Sequence, residues 1–239
     1  MSGPLAETAY GTVEGRERRG AQLFAGIPYA APPVGERRFR PPEAPEAWSG
    51  VRESRRFGPA AHQPAGDGLL SSPPKHVSED CLSLNVVTPA CDDGRRPVFV
   101  WVHGGGFRTG TGAIPWYDGS GFASRDVVVV TINYRLGALG FCHLESIDPD
   151  LAGSGNNGLA DQLAALRWVR DNIAAFGGDP TNVTVAGESA GAMSVASLCG
   201  SPASAGLFRR AVAQSGAASH VLTADAAAVI AEKFVAELG

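Results

Sequence analysis

Gly187-Glu188-Ser189-Ala190-Gly191 sets a serine between two glycines, each two residues away. A serine hydroxyl attacks an acyl carbon only when it is exposed, aimed and relieved of its proton. The G-x-S-x-G spacing meets the first two conditions when the serine occupies a strained turn between a strand and a helix. The glycines then let strand and helix pass closely. Residues 183–186 are a short apolar, β-branched run, which reads as a buried parallel strand, and residues 192–198 can be helical. In a chain with 31 glycines the pentapeptide can also arise by chance. A second stretch, His103-Gly104-Gly105-Gly106-Phe107, weighs against that. Consecutive glycines free their backbone N–H groups to converge on one point. With the N–H of Ala190, those of Gly105 and Gly106 would hold the negative oxygen of a tetrahedral intermediate. Losing one such donor costs about 3–4 kcal/mol of transition-state stabilisation. The alternative is a flexible glycine turn, disfavoured because this loop leaves a strand and pairs with a downstream elbow. His103 is one candidate for the base, but it belongs to the donor loop, and the better reading is a brace for that loop.

These groups need a scaffold, and the apolar pattern supplies one. Residues 82–87 alternate as a strand, residues 97–102 form a second, and residues 127–134 are apolar on both faces and hence central. An amphipathic helix spans residues 160–176, with Leu163, Leu166, Val169 and Ile173 on one face. The elbow strand follows, and residues 210–215 predict a further short buried strand. Residues 224–238 form a last helix, with Thr223 as N-cap and Asp225 in the first turn. Strands alternating with helices predict an α/β fold, its mostly parallel central sheet wound by right-handed crossovers and flanked by helices. Upstream, prolines exclude a helix in residues 1–60, and residues 8–13 are expected to pair with residues 22–27 in a small edge hairpin. Residues 58–80 read as a polar loop too long for a simple connector.

Composition narrows the function. The chain has 239 residues, 44% hydrophobic and 18% charged, so it can bury a sizeable core. A net charge of −4 without a basic block gives no reason to expect nucleic acid or an anionic membrane as partner. The first residues lack a basic segment followed by an apolar one, and no apolar run reaches transmembrane length. Cys81, Cys91, Cys142 and Cys199 have no metal-ligand spacing, so neither metal nor cofactor is expected. Scattered thiols without a secretion signal point to a reducing, cytoplasmic setting. Gly153-Ser154-Gly155-Asn156-Asn157-Gly158 matches a dinucleotide-binding glycine pattern but does not follow a strand, so it reads as a polar turn. His62, His76 and His143 are isolated, Trp101 and Trp168 are read as core, and Trp116-Tyr117 either line a substrate gorge or decorate a loop.

Many ordered motifs accompany the elbow and the glycine loop: Gly26-Ile27-Pro28-Tyr29-Ala30, Pro32-Pro33-Val34-Gly35, Arg38-Phe39, Ser78-Glu79-Asp80-Cys81-Leu82, Asn133-Tyr134-Arg135-Leu136-Gly137, Gly158-Leu159-Ala160-Asp161-Gln162 and Phe176-Gly177-Gly178-Asp179-Pro180. Together, from Tyr10-Gly11 to the last residue, they resemble the type-B carboxylesterases, the carboxylesterase/cholinesterase family of α/β-hydrolases. The likeness is greatest to the bacterial p-nitrobenzyl-esterase branch. The resemblance implies an α/β-hydrolase fold and hydrolysis of small-molecule carboxylic esters. Ser189 would attack the acyl carbon, the alcohol would leave, and water would release the acid. By the same resemblance Ser215 matches a serine that hydrogen-bonds the triad acid, the alternative being an ordinary strand-end hydroxyl. Glu188 resembles a glutamate facing the gorge, the alternative being a carboxylate satisfied by backbone N–H groups. Arg135 with Asp161, and Arg38 with Glu79, match ion pairs that pin loops. The family also contains non-catalytic adhesion and binding modules, which typically lose the nucleophile retained here.

Two departures from the family pattern matter. Ala61 stands where a loop disulfide would place a partner for Cys81. The second concerns the triad, which runs Ser, Asp/Glu, His along an α/β-hydrolase chain. After Ser189 the sole histidine is His220, just past the strand end, and neither Asp225 nor Glu237 matches the acid. The acid, the base and the C-terminal strands are therefore expected to be absent. Residues 1–239 then read as the N-terminal part of a single hydrolase domain, with little turnover alone. An unpaired sheet edge would invite aggregation or pairing with a complementary C-terminal segment.

Overall fold

The computed structural model describes residues 3–64 and 74–238. Its framework is a seven-stranded sheet built from β3 (Arg16–Arg18), β4 (Ala21–Pro28), β6 (Ser83–Thr88), β7 (Arg96–Val102), β8 (Val128–Ile132), β9 (Gly178–Glu188) and β10 (Arg210–Gln214). Their order is β10-β9-β7-β8-β6-β4-β3. Strands β10, β9, β7 and β8 run parallel, and antiparallel pairing takes over from β8 to β6 onward. A small separate sheet joins β1 (Leu5–Thr8), β2 (Gly11–Glu14) and β5 (Val51–Glu53). The helices are α1 (Ser120–Ala123), α2 (Gly137–Phe141), α3 (Asn157–Asn172), α4 (Ala190–Gly200) and α5 (Ala224–Ala236).

The alternation of side chains along the strands divides the apolar residues between the two faces of the sheet. On one face Leu84, Val86, Val98, Val100, Val102, Val128, Val130, Ile132, Val183 and Val185 pack with Leu166, Val169, Val195 and Leu198 of α3 and α4. On the other, Leu23, Val87 and Val129 pack with Ala123 of α1. Every residue of β8 is buried, as its apolar run on both faces predicts for a central strand. Helix α3 starts three residues before the sequence boundary, and its last turn tightens into a 3₁₀ turn at Ile173–Phe176. Thr223 caps α5 by accepting the Ala226 N–H at 3.3 Å. The G-x-G-x-x-G stretch is a 3₁₀ turn, Ser154–Asn156, leading into α3.

Three expectations change. Residues 8–13 do not pair with residues 22–27. β1 and β2 instead form a hairpin, its turn fastened by Thr8 Oγ1 donating to Gly11 O at 2.7 Å. β4, buried along most of its length, lies between β3 and β6 as an inner strand. β10 is not buried: all five of its residues are exposed, because it is the outermost strand and no described segment covers its outer edge. The expected long polar loop is closed by a parallel bridge between Ala60 and Val77, with residues 65–73 outside the described range.

Candidate active site

The elbow is formed as its spacing requires. β9 ends at Glu188 and α4 begins at Ala190, leaving Ser189 at φ 53°, ψ −121°, a conformation strained for a residue with a Cβ. The strain is held in place from both sides. Ser189 N–H donates to Gln214 O on β10 at 2.9 Å, and Ser189 O accepts from Met193 N–H at 3.0 Å. A Cβ at Gly187 would lie 2.5 Å from the Gly191 backbone, and one at Gly191 would collide with Val102 O and sit 2.9 Å from His103 O. Strand, helix and the end of β7 therefore meet at a distance that only glycine allows.

The glycine loop leaves β7 and backs directly onto this elbow. A Cβ at Gly104 would lie 2.6 Å from Glu188 O and 3.2 Å from Ser189 Cβ. Gly105, Gly106 and Phe107 then run through positive φ (117°, 60° and 59°), in a turn closed by Arg108 N–H and Thr109 N–H on Gly105 O. Among the described residues, the N–H groups of Gly105 and Gly106 donate to no protein acceptor. Ala190 is the first residue of α4, where an N–H has no partner within the helix. The structure thus sets Gly104, at the start of the donor loop, against Ser189 at the C-terminal ends of β7 and β9, with Ala190 next in the chain.

His103 braces this loop. It is buried, its Nδ1–H donates to Gly104 O at 2.8 Å, and its ring stacks on Tyr134 at 4.4 Å. Tyr134 Oη donates in turn to His103 O at 2.8 Å. Burial lowers the imidazole pKa from 6.5 to about 4, only partly offset by the Gly104 hydrogen bond. Above its ordinary pKa the ring is neutral in both folded and unfolded chains. As pH falls from 6.5 to 4 the unfolded chain takes up a proton that the folded one refuses, so stability drops across that window. The loss totals about 3 kcal/mol for such a buried group. Urea unfolding between pH 7 and 4 should show this decline, and His103→Asn should flatten it. Equal slopes in the two proteins would contradict the assignment.

The other predicted residues fall into two groups. Glu188 is exposed beside Ser189, its Oε2 2.9 Å from where a Gly104 Cβ would stand, and among the described residues no backbone N–H satisfies it. Burial, with the Glu188 charge adding to it, raises the Tyr117 pKa. Tyr117 packs on Trp101 at 5.3 Å, while Trp116 is 69% exposed. Ser215 follows Gln214 at φ 59°, exposed, and its hydroxyl has no partner among the described residues. His220 is exposed, with Nδ1 3.4 Å from Ala217 O. Among the described residues no imidazole or carboxylate is hydrogen-bonded to the Ser189 hydroxyl. Nor does any group of three His, Cys, Asp or Glu side chains there suit a metal ion.

Both predicted ion pairs are formed. Asp161 carries Arg135 on two side-chain hydrogen bonds of 2.8 and 2.6 Å and one backbone bond of 3.0 Å, both residues being buried. Arg38 and Glu79 pair bidentately at 2.6 and 2.8 Å nearer the surface. Gln63, Asn133 and Tyr134 also touch the loop, which no periodicity or spacing in a single sequence reveals. Their signal is a hydrogen bond across the fold.

Comparisons with known proteins show the family and the fold. The family model described as Carboxylesterase family matches residues 2–239. Para-nitrobenzyl esterase of Bacillus subtilis (strain 168) is 48% identical over 241 residues, covering 100% of this chain and 49% of the relative. Fumonisin B1 esterase of Sphingopyxis macrogoltabida is 49% identical over 216 residues, covering 88% of this chain and 39% of the relative. A crystal structure of a Geobacillus stearothermophilus carboxylesterase superposes with a TM-score of 0.92 at 51% identity, over 98% of this chain and 48% of that one. The architecture is that of an α/β-hydrolase, and the chain spans about half the length of the relatives it matches.

Proposed function

The chain belongs to the carboxylesterase family, and on that premise we propose that it is the nucleophile-bearing part of a carboxylic ester hydrolase working through an acyl-enzyme. Ser189 is the nucleophile, and the N–H groups of Gly105, Gly106 and Ala190 receive the oxyanion. The observation that carries this reading is Ser189 in a strained turn with Gly104 packed against its Cβ, and unbonded N–H groups on the two glycines that follow Gly104. Glu188 shapes the charge next to the nucleophile, and Ser215 waits beside the elbow for a carboxylate. The substrates are small-molecule carboxylic esters, as the names of the similar esterases suggest.

The general base and its acid come from a complementary segment. β10, with its exposed outer edge and the exposed Val212, offers the surface that such a segment covers. Residues 1–239 are then the N-terminal part of one hydrolase domain, inactive when alone. Four free cysteines, two of them buried, fit a reducing cytoplasmic setting. No described helix is long and apolar enough to cross a membrane.

Labelling tests the reading. In the product of the whole reading frame containing these residues, an alkyl fluorophosphonate should modify Ser189, and Ser189→Ala should abolish the label. A folded product that refuses the label would sink the hydrolase reading in favour of a non-catalytic binding module.

A further inference from the structure

The glycine loop is fastened at its far end as well as at its base. Gln63, from a segment 47 residues upstream, grips Gly110 in both directions. Its Oε1 accepts the Gly110 N–H at 2.9 Å, and its Nε2 donates to the Gly110 carbonyl at 2.9 Å. The same Nε2 donates to Ala61 O at 3.0 Å, which fixes the side chain relative to its own segment. A primary amide paired with both polar groups of one residue reproduces the bonding between neighbouring strands.

Gly110 transmits that grip. It sits at φ 116°, and a Cβ there would lie 2.5 Å from Gly104 O and against the His103 imidazole. The clamped residue therefore presses on the first glycine of the loop and on the ring that donates to the same Gly104 carbonyl. Asn133 continues the stitching one step on. Its Oδ1 accepts from Gly112 N–H at 2.8 Å and the Thr111 hydroxyl at 3.0 Å, and its Nδ2 donates to Pro59 O at 2.9 Å. Two side-chain amides thus tie residues 110–112 to residues 59–63.

We propose that Gln63 is a positioning residue for the ester-hydrolysing site: by clamping Gly110 against His103 and Gly104, it aims the Gly105 and Gly106 N–H groups at the reacting oxygen. Its functional weight rests on the hydrolase reading, whereas the clamp is a property of the loop alone. A glycine-rich loop has many conformations to lose, and oxyanion donors act only when held in place beforehand. A displacement of about 1 Å in such groups costs on the order of a hundredfold in rate. The plainer role would be to tether residues 59–63 without affecting the loop.

Amide hydrogen exchange on the 239-residue chain separates the two roles. Gln63→Ala and Gln63→Met are compared with the parent, the methionine keeping the length of the side chain without its donor or acceptor. The Arg108 and Thr109 amides, which close the loop on Gly105 O, should exchange at least tenfold faster in both variants. So should the Gly110 amide, while Val100 and Val185 in the central strands stay unchanged. Acceleration confined to Gly110 would reduce Gln63 to a tether and overturn the proposal. In the whole reading-frame product, Gln63→Met should slow fluorophosphonate labelling of Ser189 at least tenfold without shifting the thermal midpoint by more than a few degrees. Freed loop amides with an unchanged labelling rate would overturn the functional role. A parent protein that does not label at all would strike at the hydrolase reading, and the exchange result would still decide the clamp.

Discussion

Purified as 239 residues, the chain is expected to hydrolyse p-nitrophenyl butyrate about a millionfold more slowly than a complete serine esterase, the factor lost when a triad base is removed. What would remain is the catalysis that oxyanion donors and binding supply by themselves, roughly a thousandfold over water. Neither His103 nor His220 is hydrogen-bonded to the Ser189 hydroxyl. His103 is committed through Nδ1 to Gly104 O, wedged against Tyr134, and depressed to a pKa of about 4 by burial. A ring so placed takes up a proton poorly and braces a backbone instead of facing a hydroxyl. His220 lies exposed beyond β10, its nearest partner the Ala217 carbonyl. A spectrophotometric assay with Ser189→Ala as the blank checks this directly. Brisk, serine-dependent turnover by the chain alone would mean that one of these histidines moves into the base position, and the partner assignment would fall with it.

Removing Asp161 should cost about 3–5 kcal/mol of stability, because it leaves the Arg135 guanidinium as an uncompensated buried charge. Asp161 is fully buried and takes three hydrogen bonds from Arg135, whose remaining arm donates to Arg40 O at 2.7 Å. The pair joins the end of β8 to α3 and to the proline-rich segment before β5, so its loss should loosen all three. Urea unfolding of Asp161→Ala measures the effect. The double variant Asp161→Leu with Arg135→Met should recover much of the loss, since a matched apolar pair leaves no charge stranded. If the single variant costs less than about 1 kcal/mol, in the range of exposed pairs, the pair is not the buried link described. The same substitution at Glu79 is expected to do little, because Arg38 is half exposed.

Much of the candidate site was legible in the chain. G-x-S-x-G and His-Gly-Gly-Gly are local devices: each needs particular residues at adjacent positions, so their chemistry is written in the spacing. Their positions relative to each other followed from the strands that precede them, whose apolar runs in β7, β8 and β9 are unambiguous. The first strands were less legible. Pairing of β1 with β2 depends on a turn fastened by the Thr8 hydroxyl, and short strands in a proline-rich segment offer several registers. β10 has the composition of a buried strand yet is exposed, since burial is decided by what lies beside a strand and not by its own residues.

The sequence by itself determined the family, the strand–turn–helix that carries Ser189 and the glycine loop after β7, because those are short-range requirements of backbone geometry and leave a fixed spelling. Only the tertiary structure decided that His103 is a neutral brace, that Arg135 and Asp161 form a buried link, and that Gln63 grips Gly110. Each of those depends on a partner brought across the fold, and a hydrogen bond between residues 47 positions apart has no periodicity to announce it.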